Sequence, residues 1–259
     1  MPLMEGKNVL IFGVANHRSI GWAIAQSLSR EGAKIILAYQ DRMEKYVREL
    51  AAKIPGTEVI LCDVQDDAQL DAAFAKAGEL FGGRIDTVIH SVAYAPASEL
   101  ENPFLETTRA GFQTALDISA YSLIAVAKRA KPYMEASGGS ILALTYMASL
   151  HVMPKYNVMA VAKAALECNV RYLAYELGEF NIRVNAISAG ALNTLAARGV
   201  SGFSDFRSQT AVIAPLRRNI EQSEVGDSAL FLSSDLARAI TGEILFVDAG
   251  YNIMGSASH

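Results

Sequence analysis

The chain is 259 residues long, with 51% hydrophobic and 19% charged side chains and a formal charge of −4. That supplies one large core in a single α/β domain spanning 1–259, and a mildly acidic balance without a lysine/arginine block fits a nucleic-acid partner poorly. Two cysteines, Cys62 and Cys168, form neither a secretory disulfide framework nor a close metal motif, so a reducing compartment and no bound metal are expected. Both lie in patterns that read as core or core-adjacent.

The start, MPLMEGKNVLIFG, lacks the layout of a signal peptide and reads as a first buried strand over 7–12. The following GVANHRSIGWAIAQSLSREGA carries Gly13, Ser19 and Gly21, which is not G-x-G-x-x-G but has its physical ingredients. Gly13 can turn the chain, Ser19 can meet a phosphate, and Gly21, with Ile20 before it, permits close approach at the start of a helix continuing through Ser29. An ordinary glycine-bearing βα turn is the alternative, and His17 reads as loop surface. The second strand, KIILAYQ, ends at Gln40, which can hydrogen-bond a ribose hydroxyl but cannot neutralise a 2′-phosphate. NADH is therefore favoured over NADPH, with Arg42 and Lys45 as the residues that keep a phosphate contact open. After the helical EKYVRELAAKI and the breaker Pro55-Gly56, TEVILCDV forms the third strand. It places Asp63 and Val64 at its C-terminal end, where Asp63 can accept from an adenine amine or cap the next helix.

An amphipathic helix over 67–81 leads through Gly82-Gly83 to the fourth strand, RIDTVIH, and then to Ser91, Val92 and Ala93, small residues suited to lining a cofactor crevice. His90 reads as a satisfied strand-end residue. One long helix over 107–133, interrupted late by Pro132, precedes a fifth strand, GGSILALTY, that delivers Tyr146 at its C-terminal edge. Next comes LHVMPKYNVMAVAK. The run from Asn157 has no glycine or proline before Gly178 and reads as helix. At about 100° per residue, seven positions return Lys163 to within roughly 20° of the face carrying Tyr156, so both polar heads can share a cavity. An ammonium beside a phenol favours the phenolate and suits the pair to stabilising an oxyanion. Y-x6-K alone also matches many unrelated helices; its weight comes from the succession of strands and helices, which predicts a Rossmann-like, doubly wound parallel sheet of about seven strands with ligands beyond the strand C-termini.

NIRVNAIS is the sixth strand, and AGALNTLAARGVSGFSDFRSQTAVIAPL is the least regular section of the chain. Thr194 can bind a cofactor phosphate, while Leu195, Ala196, Ala197, Val200 and Phe203 form an apolar surface beside Gly199 and Gly202. Residues 194–212 are the best substrate-lid candidate, against a static crossover or oligomer contact. Arg198, Arg207, Arg217 and Arg218 are either surface charge or a docking surface for a small acidic carrier protein. A helix over 221–234 and the strand EILFVDAG complete the fold. No uninterrupted apolar stretch reaches the ~18 residues of a membrane span.

Taken in order, KNVLIFGVANHRSIGWAIA, HSVAYAP, LTYMASLHVMPKYNVMAVAKAALE, RVNAISAGALNTLAARGVSGF and ITGEILFVDAGYNIMG resemble the short-chain dehydrogenase/reductase superfamily and, more closely, its bacterial enoyl-acyl-carrier-protein reductase I family. The resemblance implies Tyr156 and Lys163 as the active pair, with Tyr146 beside the substrate. It implies Gly13, Ser19, Ile20, Gly21, Gln40, Asp63, Val64, Ser91, Val92, Ala93, Lys163, Ala189 and Thr194 around NADH/NAD+, and Ala95, Tyr146, Tyr156, Met159, Ala196, Val200 and Phe203 around the acyl substrate. Two departures set the chain apart from carbonyl-reducing members. Ala143 stands where those have serine, thirteen residues before the tyrosine, and their usual helix asparagine is absent from FQTALDISAYSLI. Within the closer family, Ala191 replaces a common proline. The implied reaction is NADH-dependent reduction of a trans-2-enoyl chain on acyl carrier protein, by a cytoplasmic bacterial homotetramer without a membrane span.

Overall fold

Alternation along the first strand explains why this sheet needs cover on both faces. In β1 (Asn8–Phe12), Val9 and Ile11 enter one apolar core while Leu10 and Phe12 enter another, and all four are essentially inaccessible to water. An apolar run of this kind suits a parallel strand buried between two helical layers. The structure, a computed structural model, describes residues 2–194 and 203–255, the side chains of 203–205 excepted.

The remaining strands are β2 (Lys34–Tyr39), β3 (Glu58–Leu61), β4 (Thr87–His90), β5 (Gly139–Thr145), β6 (Ile182–Ala189) and β7 (Ile244–Val247). They pair in parallel in the order β3-β2-β1-β4-β5-β6-β7. The chain therefore winds outward from β1 in one direction, then returns and winds in the other. Helices α1 (Ile20–Arg30), α2 (Glu44–Ala51) and α9 (Gln222–Ser233) contribute Trp22, Ile24, Leu28, Val47 and Val225 to one core. Helices α3 (Asp67–Leu80), α6 (Ser122–Met134) and α7 (Asn157–Leu177) contribute Phe74, Leu123, Val126, Leu166 and Val170 to the other. The reversal between β1 and β4 leaves a crevice at the C-terminal edge of the sheet.

Three expectations change. The long helix predicted over 107–133 is α5 (Arg109–Leu116), a π turn over Asp117–Tyr121, and α6, with Pro132 accommodated in its last turn. By length and composition Arg109–Met134 could cross a membrane, but Leu123, Val126, Ala127 and Ala130 have no exposed surface, so it works here as a core helix. The irregular stretch after β6 contains α8 (Phe203–Ile213). Cys62 is buried as expected, which pushes its thiol up to about 12, whereas Cys168 is exposed on α7.

The π turn positions the loop that follows β4. Its bulge directs Ser119 to Tyr94, whose N–H donates to Ser119 Oγ at 2.9 Å while the hydroxyl donates back to Tyr94 O at 3.1 Å. One turn further on, Ser122 meets His90 Nε2 at 2.7 Å and donates to Ile118 O at 2.6 Å. Since the serine proton is spent on the carbonyl, His90 donates through Nε2. His90 has no exposed surface, and burial together with the neighbouring Lys163 cation pushes it down to about 3. It is a neutral residue at the strand end, but not the fully satisfied one expected, since its Nδ1 is buried without a hydrogen-bond partner.

Candidate active site

The glycine-bearing turn after β1 is built for close approach. Gly13 has φ +90°, and a Cβ there would fall 2.0 Å from the Ser91 carbonyl oxygen, so any side chain would force the β1 and β4 loops apart. Gly21 is similarly confined, with Val14 and Ser91 within 3.4 Å of a Cβ position. Ser19 precedes α1, and its Oγ accepts from the N–H groups of Ala15 and Asn16, each at 3.0 Å. Its own proton then remains to donate outward. The turn thus offers a hydroxyl beside the first N–H groups of an eleven-residue helix, where phosphate is favoured.

At the next strand ends, Gln40 Nε2 donates to Asp63 Oδ2 at 3.1 Å. Asp63 does not cap α3: Asp66 does so, accepting from Ala68 and Gln69, while Asp63 Oδ1 receives only the local Gln65 N–H. A carboxylate tied to Gln40 disfavours an extra phosphate at the ribose. Val64, Ser91 and Val92 are partly buried and Ala93 is exposed. Ala189 is buried at the end of β6, and Thr194 is the last described residue before the gap. These residues therefore follow β1, β2, β3, β4 and β6 at one edge of the sheet and fit a dinucleotide.

Tyr146 and Tyr156 meet on the substrate side, ring centroids 4.9 Å apart and tilted by 58°. Both phenols are pushed above their ordinary range, Tyr156 by burial and Tyr146 by burial and by the neighbouring Tyr156, Tyr251 and Asp248. This reverses one expectation. Lys163 does not draw Tyr156 toward phenolate; burial dominates, and both rings remain protonated donors. The lysine lies inside, with Nζ donating to Leu144 O at 2.7 Å, and burial brings it down to about 8 against the favourable pull of Glu167. Glu167 in turn accepts from Thr145 Oγ1 at 2.6 Å, fastening α7 to the end of β5.

The family model described as enoyl-(acyl carrier protein) reductase matches residues 13–252. The chain belongs to this family. It is 48% identical to an NADH-type enoyl-acyl-carrier-protein reductase of a Nostoc species, over 97% of this chain and 98% of the relative. It is 50% identical to the Bacillus cereus FabI reductase over 98% of this chain and all of that one. A crystal structure of the Bacillus cereus reductase with NADP+ and an indole naphthyridinone superposes with a TM-score of 0.96 at 49% identity, covering 99% and 100% of the two chains. The reductase from Anaplasma phagocytophilum in complex with NAD gives 0.95 at 43%, covering 99% and 98%.

Where carbonyl-reducing relatives of this reductase family carry serine, Ala143 is fully buried inside β5, opposite His90. No hydroxyl points from that position. Ala95, Tyr156 and Met159 gather with Leu100, Ala115 and Val158 in a small apolar cluster. Ala196 and Val200 lie outside the described residues, as does the side chain of Phe203. Sequence reasoning missed Asp248 and Tyr251, which follow β7 and stand beside Tyr146. It also missed Phe206 of α8, edge-on to Tyr251 at 5.8 Å. Their position after the last strand of a parallel sheet was the available signal. Among the described residues no group of histidine, cysteine and carboxylate side chains could hold a metal.

Proposed function

We propose that this chain reduces the C2=C3 double bond of a trans-2-enoyl group on acyl carrier protein to the saturated acyl group, in bacterial fatty-acid elongation, with Tyr156 as the oxyanion donor. The observation that carries the reading is the contact between Tyr146 and Tyr156 at the end of β5, a strand that holds buried Ala143 where carbonyl-reducing members of the superfamily have serine. Gly13, Ser19, Ile20, Gly21, Gln40, Asp63, Val64, Ser91, Val92, Ala93, Lys163, Ala189 and Thr194 would hold NADH, which would supply hydride to C3, and a proton taken up at C2 would complete the saturated acyl group. The residues then divide the work. Tyr156 donates a hydrogen bond to the thioester oxygen as negative charge collects there, an interaction stronger in the transition state than in the ground state. Tyr146 packs on that ring and orients the thioester. Lys163 holds the ribose hydroxyls while Leu144 O fixes its ammonium. Ala95 and Met159 line the acyl path.

Working in the cytoplasm as a homotetramer belongs to the same reading. Phe112, Tyr121, Ile124 and Tyr172 leave substantial apolar surface exposed on the α5–α7 layer, which supports burial against other copies. Sedimentation equilibrium should return four chains per particle; a monomer at micromolar concentration would remove that part.

Bond choice tests the reaction itself. Purified enzyme should oxidise NADH with trans-2-enoyl thioesters and barely with 3-ketoacyl thioesters of equal length. Deuteride from labelled NADH should appear at C3 of a saturated product. A 3-hydroxyacyl product, or deuterium at C2, would overturn the assignment.

A further inference from the structure

Tyr156 stands between two residues in the left-handed region. Lys155 has φ +67° and Asn157 has φ +40°, whereas Tyr156 itself has φ −96°. Left-handed backbone crowds a side chain against its own main chain, less for asparagine than for lysine, so two such residues flanking one tyrosine call for surroundings that hold them.

What holds them lies across the crevice rim. The segment after β4 forms a four-residue helix, α4 (Ser98–Glu101), whose last carbonyls have no partners within so short a helix. Asn157 Nδ2 donates to Asn102 O at 2.8 Å and shares weaker contacts at 3.3 Å with Glu99 O and Leu100 O. Lys155 Nζ donates to Glu101 O at 3.0 Å. The two residues beside Tyr156 therefore cap the end of α4 together. Behind them the rim is anchored again, because the buried Glu99 carboxylate accepts from Thr108 N at 3.0 Å and Thr108 Oγ1 at 2.6 Å at the start of α5. Neither Lys155 nor Asn157 belongs to the set assigned to substrate or cofactor.

We infer that Asn157, assisted by Lys155, is a positioning residue that sets the place of the Tyr156 hydroxyl by clamping the Tyr156 turn to the carbonyls of the crevice rim. The inference rests on the assignment of Tyr156 as oxyanion donor. It goes further in making the rim at 98–102 part of the geometry that Tyr156 requires. Tilted contact with Tyr146 restrains the ring laterally, while the clamp fixes the backbone from which the ring springs. Because hydrogen-bond catalysis falls steeply with misplacement, releasing the clamp lowers kcat while leaving the distant cofactor turn untouched.

The test separates the side chain from the backbone it occupies. Asn157→Gly accepts positive φ without strain and removes only the amide, and Asn157→Asp keeps the shape but cannot donate. Each is made in the wild-type chain and in Tyr156→Phe, and kcat, KM for a trans-2-enoyl thioester and Kd for NADH are measured. In the wild-type chain kcat should fall about tenfold with NADH Kd changed less than twofold. On Tyr156→Phe the same substitutions should change kcat less than twofold, since there is no hydroxyl left to place. Lys155→Gly should repeat the pattern more weakly. Wild-type kcat in Asn157→Gly, or the same tenfold loss with and without the hydroxyl, overturns the clamp alone. Full kcat in Tyr156→Phe overturns the tyrosine assignment and the clamp with it.

Discussion

A lysine sealed from water holds its proton less firmly, and Lys163, brought down to about 8 by burial, has its charge at stake near neutral pH. It is cationic below that value and neutral above it, so in the proposed role its hold on the ribose oxygens should weaken as pH rises. Kd for NADH should therefore increase between pH 7 and 9, and Lys163→Met should bind weakly throughout with no inflection near 8. A wild-type Kd flat across that range would take the lysine out of the cofactor site. Tyr156→Phe, which keeps the ring against Tyr146 but removes the donor, should lower kcat by about 10² to 10³ with little change in NADH affinity. Single-turnover kinetics separates the two effects. The run that becomes α7 was legible from its lack of glycine and proline, but helical period could not relate Tyr156 to Lys163, because Tyr156 stands one residue before α7 and left-handed Asn157 interrupts the path between them. The surroundings of the two residues were not legible either: Leu144 O, Asp248 and Tyr251 come from other strand ends, which no local period reports.

Strands were legible as short apolar runs bounded by glycine, proline and polar residues, and the seven predicted are the seven found. The π turn at Asp117–Tyr121 escaped because one extra residue in a helix leaves no compositional mark; Ser119 and Ser122 look like ordinary helix serines until their partners Tyr94 and His90 are seen. α8 escaped for a different reason. Its residues, FSDFRSQTAVI, mix polar and apolar types without a clear period. In the lid reading α8 covers the acyl chain, so amide exchange across 203–213 should slow only when NADH and a long enoyl analogue are bound together. Equal exchange in the free and ternary states would mean a preformed pocket. Phe203→Ala should then raise KM more for long than for four-carbon substrates, because lost apolar contact grows with the buried chain. The turn after β1 makes a stricter demand: Gly13→Ala should destabilise the fold and weaken NADH binding, since its Cβ would collide with the Ser91 carbonyl.

At the scale of the molecule, His90 links the sheet centre to acid stability. Its folded value of about 3 lies well below the ordinary 6.5, so between those limits the unfolded chain binds a proton that the folded chain refuses. Stability should fall as pH drops through that window, by at most about 1.4 kcal/mol per unit from this group. Urea denaturation at pH 7, 5 and 4 should show a shallower decline in His90→Gln than in the wild type; parallel declines would relieve His90 of that role. The strand order carries a consequence for biosynthesis as well. β1 emerges first from the ribosome yet belongs in the middle of the sheet, and its inner neighbour β4 is complete only at residue 90. Phe12's side of the sheet is covered in turn by α3, α6 and α7, and the last of these ends at Leu177, so a nascent chain keeps part of that apolar surface uncovered until then. Fragments ending before α7 should therefore be poorly soluble and depend on chaperones, and the native sheet should settle late, when the distant second half arrives to close it.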